Sequence, residues 1–261
     1  MKIRPVAGRD RKRNRASPRG GRRVKVHICQ LYPDLLNLYG DRGNILTLAS
    51  RCRRRDMEPV IRQVSPGEML NLEEIDILFL GGGSEREQKL LLQEMRRWEE
   101  KLREAAEDGL VVLAICGSYQ MLGKYYQTAD GEKIQGLDII DSWTIAGDKR
   151  LTGNIIVKSG EKTVVGFENH SGKTYLGENT APLGKVLFGQ GNNGEDGKEG
   201  ARYKNVFGTY LHGPLLPKNP HLADLLLELA LKRRGCDAAL KPLDDHIETL
   251  AHDAMVKRLL K

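Results

Sequence analysis

LVVLAICGSYQMLG, residues 110–123, is the stretch that decides the fold. Leu110 to Ile115 form an apolar run with no polar break, the pattern of a strand buried on both faces of a parallel sheet. Cys116-Gly117-Ser118 then supplies small residues for a sharp turn, and a helical segment follows. A strand entering a helix through such an elbow sets Cys116 at the carboxyl end of the strand, where open α/β sheets place their sites. The Gly117 amide, at the start of the helix, would donate to an oxyanion there. By itself the triplet fits an inert buried thiol better than a nucleophile, because free cysteines are among the most buried residues.

Working outward from that elbow, strands and helical segments alternate. Val24–Leu31 reads as a strand and is followed by the loop YPDLLNLYGDRGN, with Asn44 placed to cap a helix over Ile45–Arg55. Pro59–Val64 reads as a second strand, and Ile75–Leu80 (IDILFL) as a buried one ending in Gly81-Gly82-Gly83. Glu85–Glu107 has helical composition, with Leu91, Met95, Trp98 and Leu102 on one face. This alternation predicts an α/β domain, a mostly parallel central sheet flanked by helices in a three-layer, flavodoxin-like arrangement. The glycine run after IDILFL, at Gly82 or Gly83, would offer a second backbone donor beside the Cys116 elbow. It also fits an ordinary glycine-rich turn between a strand and a helix.

After Gly136 the pattern changes. Asn154–Lys158, Thr163–Phe167 and Lys185–Leu187 read as short β segments, and GQGNNGEDGKEGAR (189–202) as a polar surface turn. Tyr203–Tyr210 reads as a further strand leading into LHGP, Pro220–Arg234 as a helix, and Asp244 or Asp245 as the cap of a last helix.

The chain carries a formal charge of +7, with 42 Lys+Arg against 35 Asp+Glu. Residues 1–23 hold ten of the basic residues and one acid, which leaves 32 basic and 34 acidic residues in 24–261. The reading is therefore a basic tail expected to be disordered over 1–23, and one near-neutral domain over 24–261. Such a tail fits a solvated extension better than a contact with nucleic acid or an anionic membrane surface. Cys29, Cys52, Cys116 and Cys236 lie 23, 64 and 120 residues apart, a spacing that gives neither a zinc site nor a disulfide framework. No metal site is expected, and no apolar run reaches membrane-span length. With no secretory signal pattern, a cytoplasmic protein is the expectation.

A thiol nucleophile needs a base. Of the six histidines, His221, His246 and His252 read as surface helical positions and His27 lies inside the first strand. His170 (FENHSG) and His212 (VFGTYLHGP) remain, and His212 ends a strand.

Gly81-Gly82-Gly83, the Cys116-Gly117-x-x-Gln120 box about 35 residues on, and a strand ending in Tyr-Leu-His-Gly-Pro together resemble a class I glutamine amidotransferase. Within that class the chain resembles the cobyric acid synthase-like branch. NLYGDRGN (37–44), GDKRLTGN (147–154) and FENHSG (167–172) are similar to the glutaminase subunits, of GatD type, of lipid II isoglutaminyl synthases. The resemblance implies that Cys116 attacks the carboxamide of L-glutamine, with His212 as base and proton donor. Gly82 or Gly83 and Gly117 would form the oxyanion hole, and Gln120 would lie near bound glutamine. Arg150 would hold a substrate carboxylate, and the KR pair reads equally as surface charge.

One position departs from the class. The glutamate that many of these enzymes carry two residues after the histidine is Pro214 here. The orienting acid would then be Asp41, Glu168 or a partner's residue, or the site is a dyad; weak glutaminase activity that rises on partner binding is expected. The chain contains no Walker A sequence, so ATP and Mg are expected on another subunit. By resemblance that subunit is Mur-ligase-like (MurT type), forms a heterodimer with this chain and amidates the D-glutamate α-carboxylate of lipid II. This work would take place near the inner membrane face, where lipid II is made. Amidation of a cobyrinic acid-type acceptor, a cysteine peptidase and a non-catalytic binding module on the same fold are the competing readings.

Overall fold

The computed structural model describes residues 23–236 and 239–261. The expectation of a disordered tail over 1–23 thus falls, but for Arg23, outside the described residues. Strand β1 spans Lys25–Leu31, helix α1 Arg42–Arg53, β2 Glu58–Val64, β3 Ile77–Leu80, helix α2 Glu85–Met95 and α3 Glu99–Glu107. Strand β4 is Val111–Ile115, helix α4 Gly117–Leu122, β5 Tyr125–Gln127 and β6 Lys133–Gln135. Then come β7 at Ser142–Ser159, β8 at Lys162–Leu176, β9 at Gly184–Phe188, β10 at Lys198–Glu199, β11 at Ala201–Tyr203 and β12 at Val206–Thr209. Strand β13 (Leu211–His212) and helices α5 (Pro220–Arg233) and α6 (His246–Leu259) end the chain.

Six strands form one sheet in the order β11-β12-β4-β3-β1-β2, and every pair but β11–β12 is parallel. Strands β3 and β4 are buried at every residue, as uninterrupted apolar runs require. Helix α2 starts at a capping box in which Ser84 and Glu87 satisfy each other's backbone amides. The single helix expected over 85–107 is broken by a 3₁₀ turn at Arg96–Trp98, and Leu91, Met95 and Leu102 stay buried on both sides of it. Asn44 does not cap a helix. It lies buried within α1, where its Oδ1 accepts the Leu216 N–H at 2.8 Å.

A second sheet, largely antiparallel, occupies the middle of the chain. The short segments expected at 154–158 and 163–167 are parts of one long hairpin, β7–β8, paired from Ser142↔Leu176 to Ser159↔Lys162 with an irregularity between Ala146 and Leu151. The inward face of β8 carries Val164, Gly166, Glu168, His170, Gly172 and Thr174, all buried. So many buried polar residues remove the apolar alternation by which a strand is recognised. Tyr203–Tyr210 is likewise a tight hairpin, β11–β12, turning at Lys204-Asn205.

The expected surface turn at 189–202 is interior at both ends of its exposed 194–198 tip: Asn192, Asn193 and Glu199 are buried. Asn192 brackets Gly200, its Nδ2 donating to the carbonyl at 2.9 Å and its Oδ1 accepting the amide at 2.8 Å. His252 is buried too, bonded to Thr163 and to the Lys218 carbonyl, and it anchors α6.

The sheets meet where the chain leaves β12. Thr209 pairs with Ile115 in the parallel sheet, and two residues later Leu211 pairs with Glu168 of β8. That crossing carries His212 to the carboxyl end of the strand that holds Cys116.

Candidate active site

Cys116 stands between β4 and α4 with φ 52° and ψ −111°, a backbone conformation that costs an L-residue on the order of 1–3 kcal/mol. The surroundings hold it there: its N–H donates to the Thr209 carbonyl at 2.8 Å, and its carbonyl accepts the Gln120 amide at 3.1 Å. The side chain of Ser118 ties the helix start to the Gly81 carbonyl at 2.5 Å. Glycine is required on both sides of the elbow. A Cβ on Gly117 would lie 2.3 Å from Gln88 Nε2 and 2.8 Å from the Gly83 carbonyl. One on Gly82 would lie 2.8 Å from the His212 ring.

His212 is wholly buried, and its Nδ1 lies 3.7 Å from Asp41 Oδ1. That distance makes an ion pair without a formed hydrogen bond, so Asp41 Oδ1 and both ring nitrogens have no hydrogen-bond partner among the described residues. Burial works against a charged ring here, but Asp41 and the Cys116 thiol outweigh it and push the His212 pKa up to about 9. Asp41 is held in turn by the Gly82 N–H, which donates to Oδ2 at 2.6 Å. The Gly82 amide is therefore engaged. The Gly83 amide makes no bond among the described residues, and Gly117 at the first position of α4 has no intrahelical acceptor.

The other residues singled out from the sequence lie apart from this cluster. Glu168 is buried in β8 and faces away from His212. Its two oxygens accept the Gln190 and Gly191 amides at 2.7 and 2.8 Å, and burial raises its pKa. It anchors the 189–202 segment and does not orient the histidine. The Nε2 of Gln120 donates to the Tyr210 hydroxyl at 2.9 Å, which turns its amide into the interior between the sheets. His170 stacks on Tyr210 with centroids 3.5 Å apart, and its Nδ1 is bonded to the Gly172 carbonyl. Burial, with the charge of His212 acting the same way, lowers the His170 pKa to about 4, so the ring is neutral at pH 7.

Arg150 lies at the irregular stretch of β7, and its Nη1 donates to Asn169 Oδ1 at 2.8 Å. Asn169 Nδ2 donates to the Tyr39 hydroxyl. The Tyr39 ring packs edge-on against His212 with centroids 4.9 Å apart. Arg150, Asn169 and Tyr39 thus make a rim over the buried Cys-His pair, and Tyr39 is 48% exposed. Sequence reading missed Tyr39, Asn169 and Gln88. Tyr39, inside NLYGDRGN, and Asn169, inside FENHSG, both lay in stretches that had drawn notice. Among the described residues no group of three or more His, Cys, Asp or Glu could hold a metal ion. No helix of the described residues is long and apolar enough to cross a membrane.

A strained cysteine between two backbone amides, paired with a buried charged histidine and a carboxylate, is equipped for acyl transfer through a thioester. A family model for the CobB/CobQ-like glutamine amidotransferase domain matches residues 27–220. The GatD subunit of the glutamine-hydrolysing lipid II isoglutaminyl synthase of Staphylococcus aureus (strain N315) is 47% identical over 235 residues, 90% of this chain and 96% of that one. Its counterpart in Streptococcus pneumoniae (strain ATCC BAA-255 / R6) is 38% identical over 88% of this chain and 90% of that one. A crystal structure of a glutamine amidotransferase superposes with a TM-score of 0.52 at 17% identity, covering 77% of this chain and 98% of that one, which is a likeness of fold.

Proposed function

The chain belongs to the CobB/CobQ-like glutamine amidotransferase family, and from that premise we propose that it is the glutamine-hydrolysing subunit of a lipid II isoglutaminyl synthase. The observation that carries the reading is the buried assembly of Cys116, His212 and Asp41 beside two free backbone amides.

In this reading the Cys116 thiolate, paired with the His212 imidazolium, attacks the side-chain carboxamide carbon of L-glutamine. The oxyanion is received by the Gly83 and Gly117 amides. His212 gives its proton to the leaving nitrogen, so ammonia departs and a γ-glutamyl thioester remains. Water then adds with His212 as base, which yields glutamate and restores the thiol. Asp41 orients the ring and stabilises its charge, the part taken in related sites by an acid after the histidine. Arg150 holds the substrate carboxylate as a fork-shaped donor, and Asn169 keeps it in place. Gln120 braces the elbow from behind through its bond to the Tyr210 hydroxyl.

Ammonia passes to a Mur-ligase-like partner that binds ATP and Mg and activates the D-glutamate α-carboxylate of the lipid II stem peptide. The complex works in the cytoplasm beside the membrane that carries lipid II. The 3.7 Å gap between Asp41 and His212 supports a site completed by docking: a partner that presses the 37–41 loop inward closes it, so glutaminase turnover rises in the complex.

The test is co-expression with the synthase subunit and measurement of lipid II amidation driven by glutamine and by ammonium. Cys116→Ala should abolish the glutamine-driven reaction and leave the ammonium-driven one intact. The glutamine analogue 6-diazo-5-oxonorleucine should label the parent chain once, at Cys116. No labelling, or loss of both half-reactions in Cys116→Ala, sinks the reading. Amidation of a corrinoid in place of lipid II would move it to a different acceptor.

A further inference from the structure

We infer that Glu199 is a positioning residue for the catalytic histidine, acting as a buried hydrogen-bond anchor at the point where the chain changes sheets. The inference rests on the amidotransferase reading of Cys116 and His212 and adds a residue that neither the sequence motifs nor that mechanism uses.

Glu199 ends β10 and is fully buried. Its Oε1 accepts two bonds, from the Thr209 hydroxyl at 3.0 Å and from the Tyr210 N–H at 2.8 Å. The same Thr209 hydroxyl oxygen accepts the Leu211 N–H at 3.1 Å. One carboxyl oxygen therefore fixes three successive residues, directly or through one hydroxyl, and the next residue is His212.

These residues need an outside anchor because they belong to neither sheet in full. Thr209 is the last residue of β12 and Leu211 the first of β13, so Tyr210 spans the crossing with no ladder partner for its amide. A buried N–H left without an acceptor forfeits its hydration with nothing in return. Glu199 supplies that acceptor and sets the direction in which the chain departs. The crossing is tied to the nucleophile as well, because the Thr209 carbonyl accepts the Cys116 N–H at 2.8 Å. Glu199 thus holds, through one short segment, the spacing between the backbone of Cys116 and that of His212.

The groups that face Glu199 are Thr209, the Tyr210 and Gly200 amides, the Glu168 carboxylate of β8 and the Tyr119 phenol of α4. Burial, with the like charge of Glu168 adding to it, pushes its pKa up to about 8. At neutral pH the anchor is mostly the uncharged acid, and its accepting oxygen is what matters. A glutamine amide offers the same oxygen.

The experiment compares Glu199→Ala, Glu199→Gln and Thr209→Val in the full chain, alone and with the synthase subunit. Misplacing a catalytic group by about 1 Å costs on the order of 10²-fold. Glu199→Ala should therefore lose about that factor in kcat for glutamine hydrolysis with KM little changed, Thr209→Val should lose less, and Glu199→Gln should stay close to the parent. The pH profile of iodoacetamide labelling at Cys116 should shift in Glu199→Ala, because His212 no longer stands correctly beside the thiol, and should not shift in Glu199→Gln. A folded Glu199→Ala with parental kcat and labelling profile overturns the inference. So does a folded Glu199→Gln as slow as Glu199→Ala. If Glu199→Ala does not fold, Thr209→Val decides: parental turnover and an unshifted profile overturn the inference. A parent chain that hydrolyses no glutamine even with its partner overturns the functional reading instead, and the labelling profiles still test the positioning.

Discussion

Asp41, in the loop between β1 and α1, and Glu168, in the middle of β8, are 0% and 1% exposed, and a sequence reader has equal reason to give either one to His212. The structure uses them in different ways. Asp41 spends one oxygen on the Gly82 amide and turns the other toward the histidine ring. Glu168 spends both oxygens on the amides of Gln190 and Gly191, and none is left for a catalytic partner. A buried carboxylate with both oxygens answered by backbone amides is a fastener; one with an oxygen unanswered, facing a titratable group, can do chemistry.

The sharpest test of that contrast is Asp41→Asn. The amide oxygen can still accept the Gly82 N–H, so the fold survives, but the charge that supports the imidazolium is gone. Turnover of glutamine should fall by on the order of 10⁴-fold, as when comparable triad acids are neutralised. The His212 pKa should drop from about 9 toward its ordinary value, read by NMR of the ring protons. Parental turnover in Asp41→Asn would remove Asp41 from the mechanism.

Arg150→Ala probes the rim in place of the core. Losing a hydrogen-bonded charge partner for the substrate carboxylate costs about 1.5–3 kcal/mol, so KM for glutamine should rise by roughly 10- to 100-fold with kcat nearly unchanged. A fall in kcat at constant KM would show that the carboxylate is held elsewhere.

The His212–Asp41 pair should also be visible in stability. Because the folded pKa is raised, the pair stabilises the native state fully below the unfolded value of 6.5, and the contribution is lost as pH rises through about 9. The urea midpoint of the parent should therefore decline between those limits more steeply than that of His212→Gln. Parallel curves would mean that His212 is not charged in the folded chain.

Glu168→Gln should have the smallest catalytic effect. Its new NH₂ meets a backbone N–H where an oxygen stood, which should cost about 1–3 kcal/mol of stability and leave kcat close to parental. A catalytic loss matching that of Asp41→Asn would exchange the roles assigned to the two acids.

The parallel half of the molecule was legible because buried strands are written as unbroken apolar runs, as in IDILFL and LVVLAI, with small residues where they turn. The glycines beside Cys116 follow from the same local logic, since only they admit the approaches that the His212 ring and the Gly83 carbonyl make. The antiparallel half was not legible. The inner face of β8 buries Glu168, His170 and Thr174, and the 189–202 segment buries asparagines, so their polarity suggested surface where there is interior. Glu168, Thr174 and Asn193 are admitted to the interior by hydrogen-bond partners distant in sequence, and His170 by its stacking on Tyr210; composition carries no trace of such partners.

The sequence by itself determined the strand-to-helix elbow at Cys116 and the histidine at a strand end, because strained turns and buried runs are local properties of a few adjacent residues. Which carboxylate reaches that histidine, which amides remain free for an oxyanion and what pins the chain as it changes sheets were decided by tertiary structure alone. Those outcomes depend on hydrogen bonds between residues as far apart as Asp41 and Gly82 or Glu199 and Tyr210, and only folding brings such pairs within 3 Å.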